Sequence, residues 1–248
     1  MRIDAQAVLD LGAATGSTTA LLQKRFRGAH IVSLDLSRNM LWNHPRRSLW
    51  FTRASNVQAD ARHLPFVDQS FDVVFANLLL PWVNDPAAVF AEVSRVLRKG
   101  GVLAFATLGP DSLKQLSRAW GQVDRQIHVN QAHVRRFLDM HDIGDALVTA
   151  GLVDPVLDVD HLTVKYADAR KLFRDLTLSG SRNALAGRRR GLLGKGQFDR
   201  LVAALSDATP GTGIEIDLEL VYGHCWSAGP RNDPGNFRID ATAIPRRR

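Results

Sequence analysis

Residues 8–17 read Val8-Leu9-Asp10-Leu11-Gly12-Ala13-Ala14-Thr15-Gly16-Ser17. A short apolar strand carrying an acid runs into a loop of small residues, and helical spacing follows from Thr18 to Phe26. Gly12 and Gly16 permit backbone conformations, and a close ligand approach, that a side chain would block. The helix start beyond them offers unpaired N–H groups and the positive end of a dipole to an anionic group such as a carboxylate. A dinucleotide-binding loop requires G-x-G-x-x-G. Here Ala14 stands at the middle glycine and Ser17 at the sixth position, a poor match to NAD binding. Taken alone, the loop fits a purely structural turn equally well.

Moving outward, strands alternate with helices. Ile31 to Asp35 is a second strand, with Ser37 placed to cap a helix. Asn56 to Gln58 is a weaker third. Phe71 to Ala76 is a fourth, almost wholly apolar, as a strand buried on both faces should be. Trp42 to Thr52 reads irregularly. Ala87 to Leu97 sets Val89, Phe90, Val93, Val96 and Leu97 on one helical stripe; Lys99-Gly100-Gly101 should end that helix before a fifth strand, Val102 to Thr107. Asp111 to Trp120 and Asp142 to Ala150 have helical patterns. Two alternating runs, Val156 to Tyr166 and Ile214 to Tyr222, supply the last two strands. The expected fold is α/β: a mostly parallel seven-stranded sheet with helices on both faces. The expected units are a core over 1–166, a basic helical cap over the site at 167–212, the last core strand at 213–229, and a disordered basic tail at 230–248.

The strand ends share a chemistry. Gly12 to Gly16 follow the first strand, Asp35 ends the second, Asp60 follows the third and Asn77 the fourth. In an open parallel sheet the ligand sits beyond the carboxyl ends of the strands, and an acid about 20 residues past a glycine loop commonly takes ribose hydroxyls. Asp35 lies 19 residues beyond Gly16. The combination points to a nucleoside-bearing ligand. The alternative for Asp35 is an exposed acid capping the next helix.

Composition narrows the setting. With 45% apolar and 23% charged residues, the 248-residue chain is ordinary globular material that can bury a core without staples. The single cysteine, Cys225, excludes an internal disulfide framework and fits a reducing compartment. The most apolar stretch, Val73 to Val83, is too short to cross a bilayer, and no secretory signal is visible. A soluble cytoplasmic protein is expected. Net charge is +7, and basic residues concentrate in two places. Between Ser181 and Arg200 six basic residues face one acid, and the last 18 residues hold five arginines and two aspartates. That balance favours a polyanionic partner, although a solvated charged face explains it almost as well. The histidines show no metal-ligand spacing, and no metal is expected. Trp82 and Trp226 could line an apolar channel or simply fill the core.

Together these residues resemble the Class I S-adenosylmethionine-dependent methyltransferases, which implies a Rossmann-like fold and S-adenosylmethionine as cofactor. The family's first motif is matched by Asp10, Gly12 and Gly16, with Ala14 in place of a glycine. The resemblance assigns the ribose to Asp35 beside Leu36, and the adenine edge to Asp60 with Ala61; Asn77 joins them at the next strand end. Leu64-Pro65-Phe66, Ser70-Phe71-Asp72-Val73-Val74, Arg95-Val96-Leu97 and Gly100-Gly101 resemble later family signatures, so the likeness covers 8–107.

Further segments carry a narrower resemblance: Asn77-Leu78-Leu79-Leu80-Pro81-Trp82, Phe105 to Leu113, Phe137 to Asp145, Leu172 to Leu176, Ser181-Arg182-Asn183-Ala184 and Arg190-Gly191-Leu192. They are similar to the malonyl-acyl-carrier-protein O-methyltransferases of biotin synthesis and, more distantly, to a mitochondrial complex I assembly factor. The first likeness implies methyl transfer to a free carboxylate, which is already ionised at pH 7 and needs no general base. Consistent with that, no Cys/His or Ser/His/Asp arrangement stands out. Arg182, with Asn183 nearby, is the candidate to orient the malonyl carboxylate through a bidentate pair, against the alternative of an ordinary surface arginine. Arg188, Arg189, Arg190 and Lys195 would meet the acidic acyl-carrier protein; membrane and nucleic acid are not expected partners. The family carries some forty residues before its first motif, including a lid and a site tyrosine, whereas seven precede it here. A misassigned start or a lost lid would each explain the difference. Competing readings are an RNA methyltransferase and a catalytically impaired assembly or regulatory protein.

Overall fold

The strand that the glycine loop follows, β1 (Ala7–Leu11), lies inside a seven-stranded sheet, third from one edge. The computed structural model describes residues 3–44, 54–129, 131–188, 191, 193–207 and 213–229. β1 pairs in parallel with β2 (His30–Asp35) on one side and β4 (Phe71–Asn77) on the other, with Asp10 opposite Ser33. β3 (Ala54–Gln58) adds to β2, β5 (Leu97–Leu108) to β4, and the long hairpin of β6 (Leu152–Tyr166) and β7 (Ile214–Ser227) closes the far edge. The order is β3-β2-β1-β4-β5-β7-β6, and β7 runs antiparallel to both neighbours. The expected mostly parallel seven-stranded sheet is present.

Helices α1 (Ser17–Arg25), α2 (Arg38–Trp42), α3 (Pro86–Val96), α4 (Lys114–Gln126) and α5 (Met140–Thr149) fill the connections, with α6 (Ala169–Leu178) and α7 (Lys195–Asp207) between β6 and β7. Ser37 caps α2 as its position suggests, its hydroxyl accepting from the Met40 N–H at 3.4 Å. The main core packs Leu9, Val74, Phe90, Val93, Leu103 and Ile143. A second cluster joins α4 to α6 and α7 through Leu116, Val123, Leu172, Leu201 and Leu205, against Ile214 and Ile216 of β7. No helix among the described residues is long and apolar enough to cross a membrane.

Asp72 and Arg95, which lie in two of the signature-like segments, are staples rather than site residues. The Asp72 carboxylate accepts from the N–H groups of Gln6 and Ala7, at 2.8 and 2.9 Å, and pairs with Arg98 at 2.6 Å, which fixes the entry of β1. Burial opposes its charge, but those donors hold its pKa below the ordinary value. Arg95 donates to the carbonyls of Leu64 and Phe66 and pairs with Glu92 and Asp68, so it clamps the 64–68 loop onto α3.

Three expectations need correction. α3 ends at Val96, and Leu97 already pairs with Phe71, so Lys99-Gly100-Gly101 does not terminate the helix. Those residues form an irregularity inside β5: pairing jumps from Phe71–Leu97 to Val73–Val102, and Gly100 takes a left-handed φ of 74° that accommodates the extra chain. α4 begins three residues later than expected. The Gly109 and Leu113 N–H groups donate to the Glu219 and Asp217 carbonyls and the Asp111 N–H to the Glu219 carboxylate, binding this stretch to β7. The basic helical stretch expected over Ala169 to Leu205, broken by Gly187, Gly191, Gly194 and Gly196, is α6 and α7, and Gly196 lies inside α7 rather than breaking it. Most of Trp42 to Thr52, the residues 208–212 and the tail 230–248 lie outside the described residues.

Candidate functional site

The carboxyl ends of β1, β2 and β4 converge on the glycine loop. Gly12 (φ 78°), Ala14 (φ 46°) and Gly16 (φ 84°) all take left-handed backbone, which turns the chain sharply from β1 into α1. The N–H groups of Gly12 and Ala13 donate to the Leu34 carbonyl of β2 at 2.8 and 3.0 Å. The Ala14 N–H donates to the Asp35 carboxylate at 2.9 Å, and the Ser37 N–H reaches its other oxygen at 2.8 Å. Asp35 therefore faces the loop rather than solvent, each oxygen keeping acceptor capacity beyond its one backbone donor. Ser17 and Thr18, at the start of α1, present helix N-terminal amides with no carbonyl four residues back.

Asp10 sits elsewhere than the mouth of this loop. It is 1% exposed and lies beneath, where Thr19 Oγ1 donates to it at 2.5 Å and Ser33 Oγ stands 3.0 Å from the same Thr19 hydroxyl. Burial pushes its carboxyl up to about 6; Thr19 opposes that shift and the nearby Asp35 charge adds to it. Thr19 and Ser33 had no signal in the sequence, because their role arises from β2 and α1 meeting over β1. Asp10 supports the loop from behind.

Two further side chains shape the mouth and were likewise unmarked. A Cβ on Gly12 would come 2.9 Å from Leu79 Cδ1, and a Cβ on Gly16 would come 2.8 Å from His44 Nδ1. His44 Nε2 donates to the Ala14 carbonyl at 2.9 Å, which requires the proton on that nitrogen. Both glycines are thus needed for φ and for space.

On the adenine side, Asp60 is clamped by its neighbour: Arg62 donates through its backbone N–H and its guanidinium, the closest contact being 2.6 Å. The Arg62 hydrogen bonds hold the Asp60 carboxyl down to about 2. Ala61 is buried, Asn77 is exposed at the end of β4, and Leu36, beside Asp35, is 68% exposed. The Asp35 and Asp60 side chains, an exposed apolar Leu36 between hydrogen-bonding groups, and a helix start suit the sugar, base and carboxylate of S-adenosylmethionine. The residues fit that cofactor.

The structure does not bring Arg182 and Asn183 into this group. Arg182 is exposed in the turn after α6, its Nε 3.4 Å from the Thr177 hydroxyl. The Asn183 side chain is taken up by backbone, donating to the Ala132 carbonyl at 2.7 Å and accepting from the Leu185 N–H at 3.0 Å. Trp226 pairs opposite Val102 near the start of β5, at the other end of the sheet, and Trp82 is half exposed. Arg188 and Lys195 are exposed, while Arg189 and Arg190 lie outside the described residues. Burial pushes the Cys225 thiol up to about 12, so it offers no nucleophile.

Among the described residues are two cavities that the glycine loop does not line. One, about 330 Å³, lies between α4 and the β6–β7 hairpin and is lined by Asp111, Lys114, Arg118, His161 and Asp217 among others. The other, about 210 Å³, lies beyond the ends of β4 and β5. It shares the chain after Asn77 with the loop: Leu79 covers Gly12, and Leu80 and Pro81 line the cavity.

A family profile described as Methyltransferase domain matches residues 9–105. Two bacterial proteins named malonyl-[acyl-carrier protein] O-methyltransferase are close relatives. That of Halorhodospira halophila is 42% identical across all of this chain and 84% of its own length. That of Laribacter hongkongensis is 42% identical across 90% of this chain and 76% of its own length. Among solved structures, the YcgJ protein of a Bacillus superposes with a TM-score of 0.64 at 16% identity, covering 92% of this chain and 94% of that one. Phosphoethanolamine N-methyltransferase 2 of Haemonchus contortus, solved with S-adenosylhomocysteine, gives 0.55 at 18% identity, covering 92% of this chain and half of its own. At those identities the structures speak for the fold alone. Full-length kinship at 42%, on a sheet and glycine loop of the matching kind, carries the assignment: this chain belongs to the malonyl-[acyl-carrier protein] O-methyltransferase family of S-adenosylmethionine-dependent enzymes.

Proposed function

We propose that the protein methylates the free carboxylate of a malonyl group held as a thioester on acyl-carrier protein, in the cytoplasm, at an early step of biotin synthesis. The observation that carries this reading is the 42% identity along the whole chain to a protein of that name. The geometry supports it in what it omits as well as what it holds. A malonyl carboxylate is ionised at neutral pH, so the site requires no base to activate it. Among the residues gathered at the rim, Asp35 and Asp60 are engaged by donors, and His44 holds a backbone carbonyl.

Bound at the rim, S-adenosylmethionine supplies an electrophilic methyl, which a carboxylate oxygen takes up as the S–C bond breaks and its electron pair returns to sulfur. The protein's own part is to bind and orient. Gly12, Ala14 and Gly16 form the floor against which the cofactor lies. Asp35 takes the ribose hydroxyls with Leu36 beside it, Asp60 and Ala61 take the base, and Asn77 stands at the exit of β4 toward the acceptor. Asp10 holds the loop through Thr19. Orientation of this kind contributes up to ~7–11 kcal/mol to lowering a barrier. Exposed Arg188 and Lys195 supply positive charge for the acidic carrier protein, which favours rapid encounter.

The test is incubation with methyl-labelled cofactor and malonyl-carrier protein. Label should appear on the carrier as a base-labile ester, and acetyl-carrier protein, which lacks the carboxylate, should take none. Label on RNA, or none on malonyl-carrier, overturns the reading.

A further inference from the structure

The cavity beyond β4 and β5 is lined by Leu80, Pro81, Val83, Pro86, Phe137 and Leu138, with Asn84, Thr107, Leu108, Arg135 and Arg136. Among the described residues no acidic side chain lines it. Arg135 is half-buried and Arg136 exposed, and neither forms an ion pair or side-chain hydrogen bond among the described residues. By contrast Arg62, Arg95 and Arg98 are all matched to carboxylates. A partly buried guanidinium without a counter-charge, in a cavity that is otherwise mostly apolar, is short of an anion.

The segment bearing these arginines has no helix or strand, yet it is held firmly from both ends. Buried Asp124 of α4 accepts from the Gln131 N–H at 3.0 Å and from His133 Nε2 at 3.0 Å. Trp120 stacks flat on the His133 ring at 3.9 Å, and Asn183 ties down the Ala132 carbonyl. Further along, Leu138 and Met140 pack into the main core, and Asp139 caps α5. Arg135 and Arg136 are therefore fixed against the ends of β4 and β5 by α4 on one side and α5 on the other.

Resting on the function proposed above, we propose that this cavity receives the acceptor's free carboxylate, with Arg135 as its principal partner and Arg136 as a second positive charge, in the role expected from sequence for Arg182. The site lies next to the cofactor loop through one short connection: Leu79 covers Gly12, and the next two residues line the cavity. The volume, about 210 Å³, has room for a three-carbon acyl group.

Such a clamp has a kinetic signature. The carboxylate loses its charge only as the methyl is delivered, so an arginine holds the substrate and an early transition state alike, and the ester product less. It lowers KM without raising kcat, and it discriminates against rebinding of product. Replacing Arg135 should raise KM and spare kcat, whereas loss of a group that acts only in the transition state would do the reverse.

The experiment compares wild type with Arg135→Gln and Arg135→Lys, using malonyl-carrier protein and the saturated cofactor. Arg135→Gln should raise KM by about 10- to 100-fold with kcat within about threefold of wild type. Arg135→Lys, which keeps the charge but not the fork, should recover part of the loss. A second measurement reads binding: with S-adenosylhomocysteine present, wild type should bind a malonyl thioester at least tenfold more tightly than its methyl ester, and Arg135→Gln should shrink that ratio toward one. Thermal unfolding checks that each variant is folded, and Arg136→Gln serves as a second probe of the same cavity if Arg135→Gln is not. If wild type turns over malonyl-carrier but the variants keep its KM and its acid-to-ester preference, the carboxylate lies elsewhere and this assignment falls. If wild type itself transfers no label to malonyl-carrier, the function proposed above falls first.

Discussion

Burial of the Asp10 carboxyl at the end of β1 has a consequence for stability that runs against the usual carboxylate trend. Its pKa is raised to about 6 in the folded protein, against about 4 for the unfolded chain. Between those values the folded state binds the extra proton. Stability from this group is therefore fully present below about pH 4 and is lost as pH rises through about 6. The shift corresponds to roughly 3 kcal/mol. Asp10→Asn keeps an acceptor for Thr19 and removes the titration. In urea unfolding at pH 4.5 and 7, it should be relatively more stable at the higher pH, by about 1–3 kcal/mol. An identical pH dependence in both proteins would show that the Asp10 charge is not desolvated. The neighbouring loop carries its own strain. Ala14 occupies left-handed backbone at φ 46°, a conformation that disfavours an alanine by about 1 kcal/mol or more. The departure from glycine at 14 is tolerated because the Ala14 side chain is exposed and its N–H is held by Asp35.

At the scale of elements, the antiparallel pairing of β7 onto β5 depends on a glycine. Gly223 lies opposite Phe105, and a Cβ there would collide with the Phe105 ring and come 2.7 Å from Leu157 Cδ2 of β6. Phe105 is buried in the main core and packs near Phe90, so its ring has little freedom to withdraw. Gly223→Ala should destabilise by about 1–3 kcal/mol through overpacking and lower the melting temperature by several degrees. An unchanged melting curve would mean that the Phe105 ring swings aside freely. The same hairpin organises the rim: Glu219 of β7 holds the turn 109–111, and Asp217 accepts from Gln115 of α4 and from Thr163 of β6. α4, α6 and α7 share their own apolar cluster along this hairpin. The helices between β6 and β7 thus pack on α4, where they also reach the segment carrying Arg135 through Asn183.

Over the whole molecule, the net charge of +7 would act at long range on the acidic carrier proposed as partner. Raising ionic strength from about 50 to 500 mM should lower kcat/KM for malonyl-carrier protein by roughly 3- to 10-fold, with a smaller effect on a small malonyl thioester. Equal effects on the two substrates would place the salt dependence in the cavity rather than on the outer face. The alternation of apolar strands and helical stripes, and the glycine, acid or amide at each of four strand ends, were legible along the chain. Those signals are local, since a strand buried on both faces must be apolar over its length and a tight turn into a helix must use glycine. The same locality explains the misplaced boundaries. Lys99-Gly100-Gly101 looks like a helix stop, but pairing with β4 draws Leu97 into the sheet first. Arg182 stood out because it lies in distinctive text, and Arg135 did not, since its segment has no period to read. Residue order by itself determined the sheet, the glycine loop and the cofactor class. The long-range contacts decided that Asp10 is buried under Thr19, that His44 and Leu79 wall the loop, and that Arg135 and Arg136 meet the ends of β4 and β5. Each of those depends on partners from 9 to 67 positions away being brought together by burial of the core, a cooperative event that no single stretch of the chain encodes.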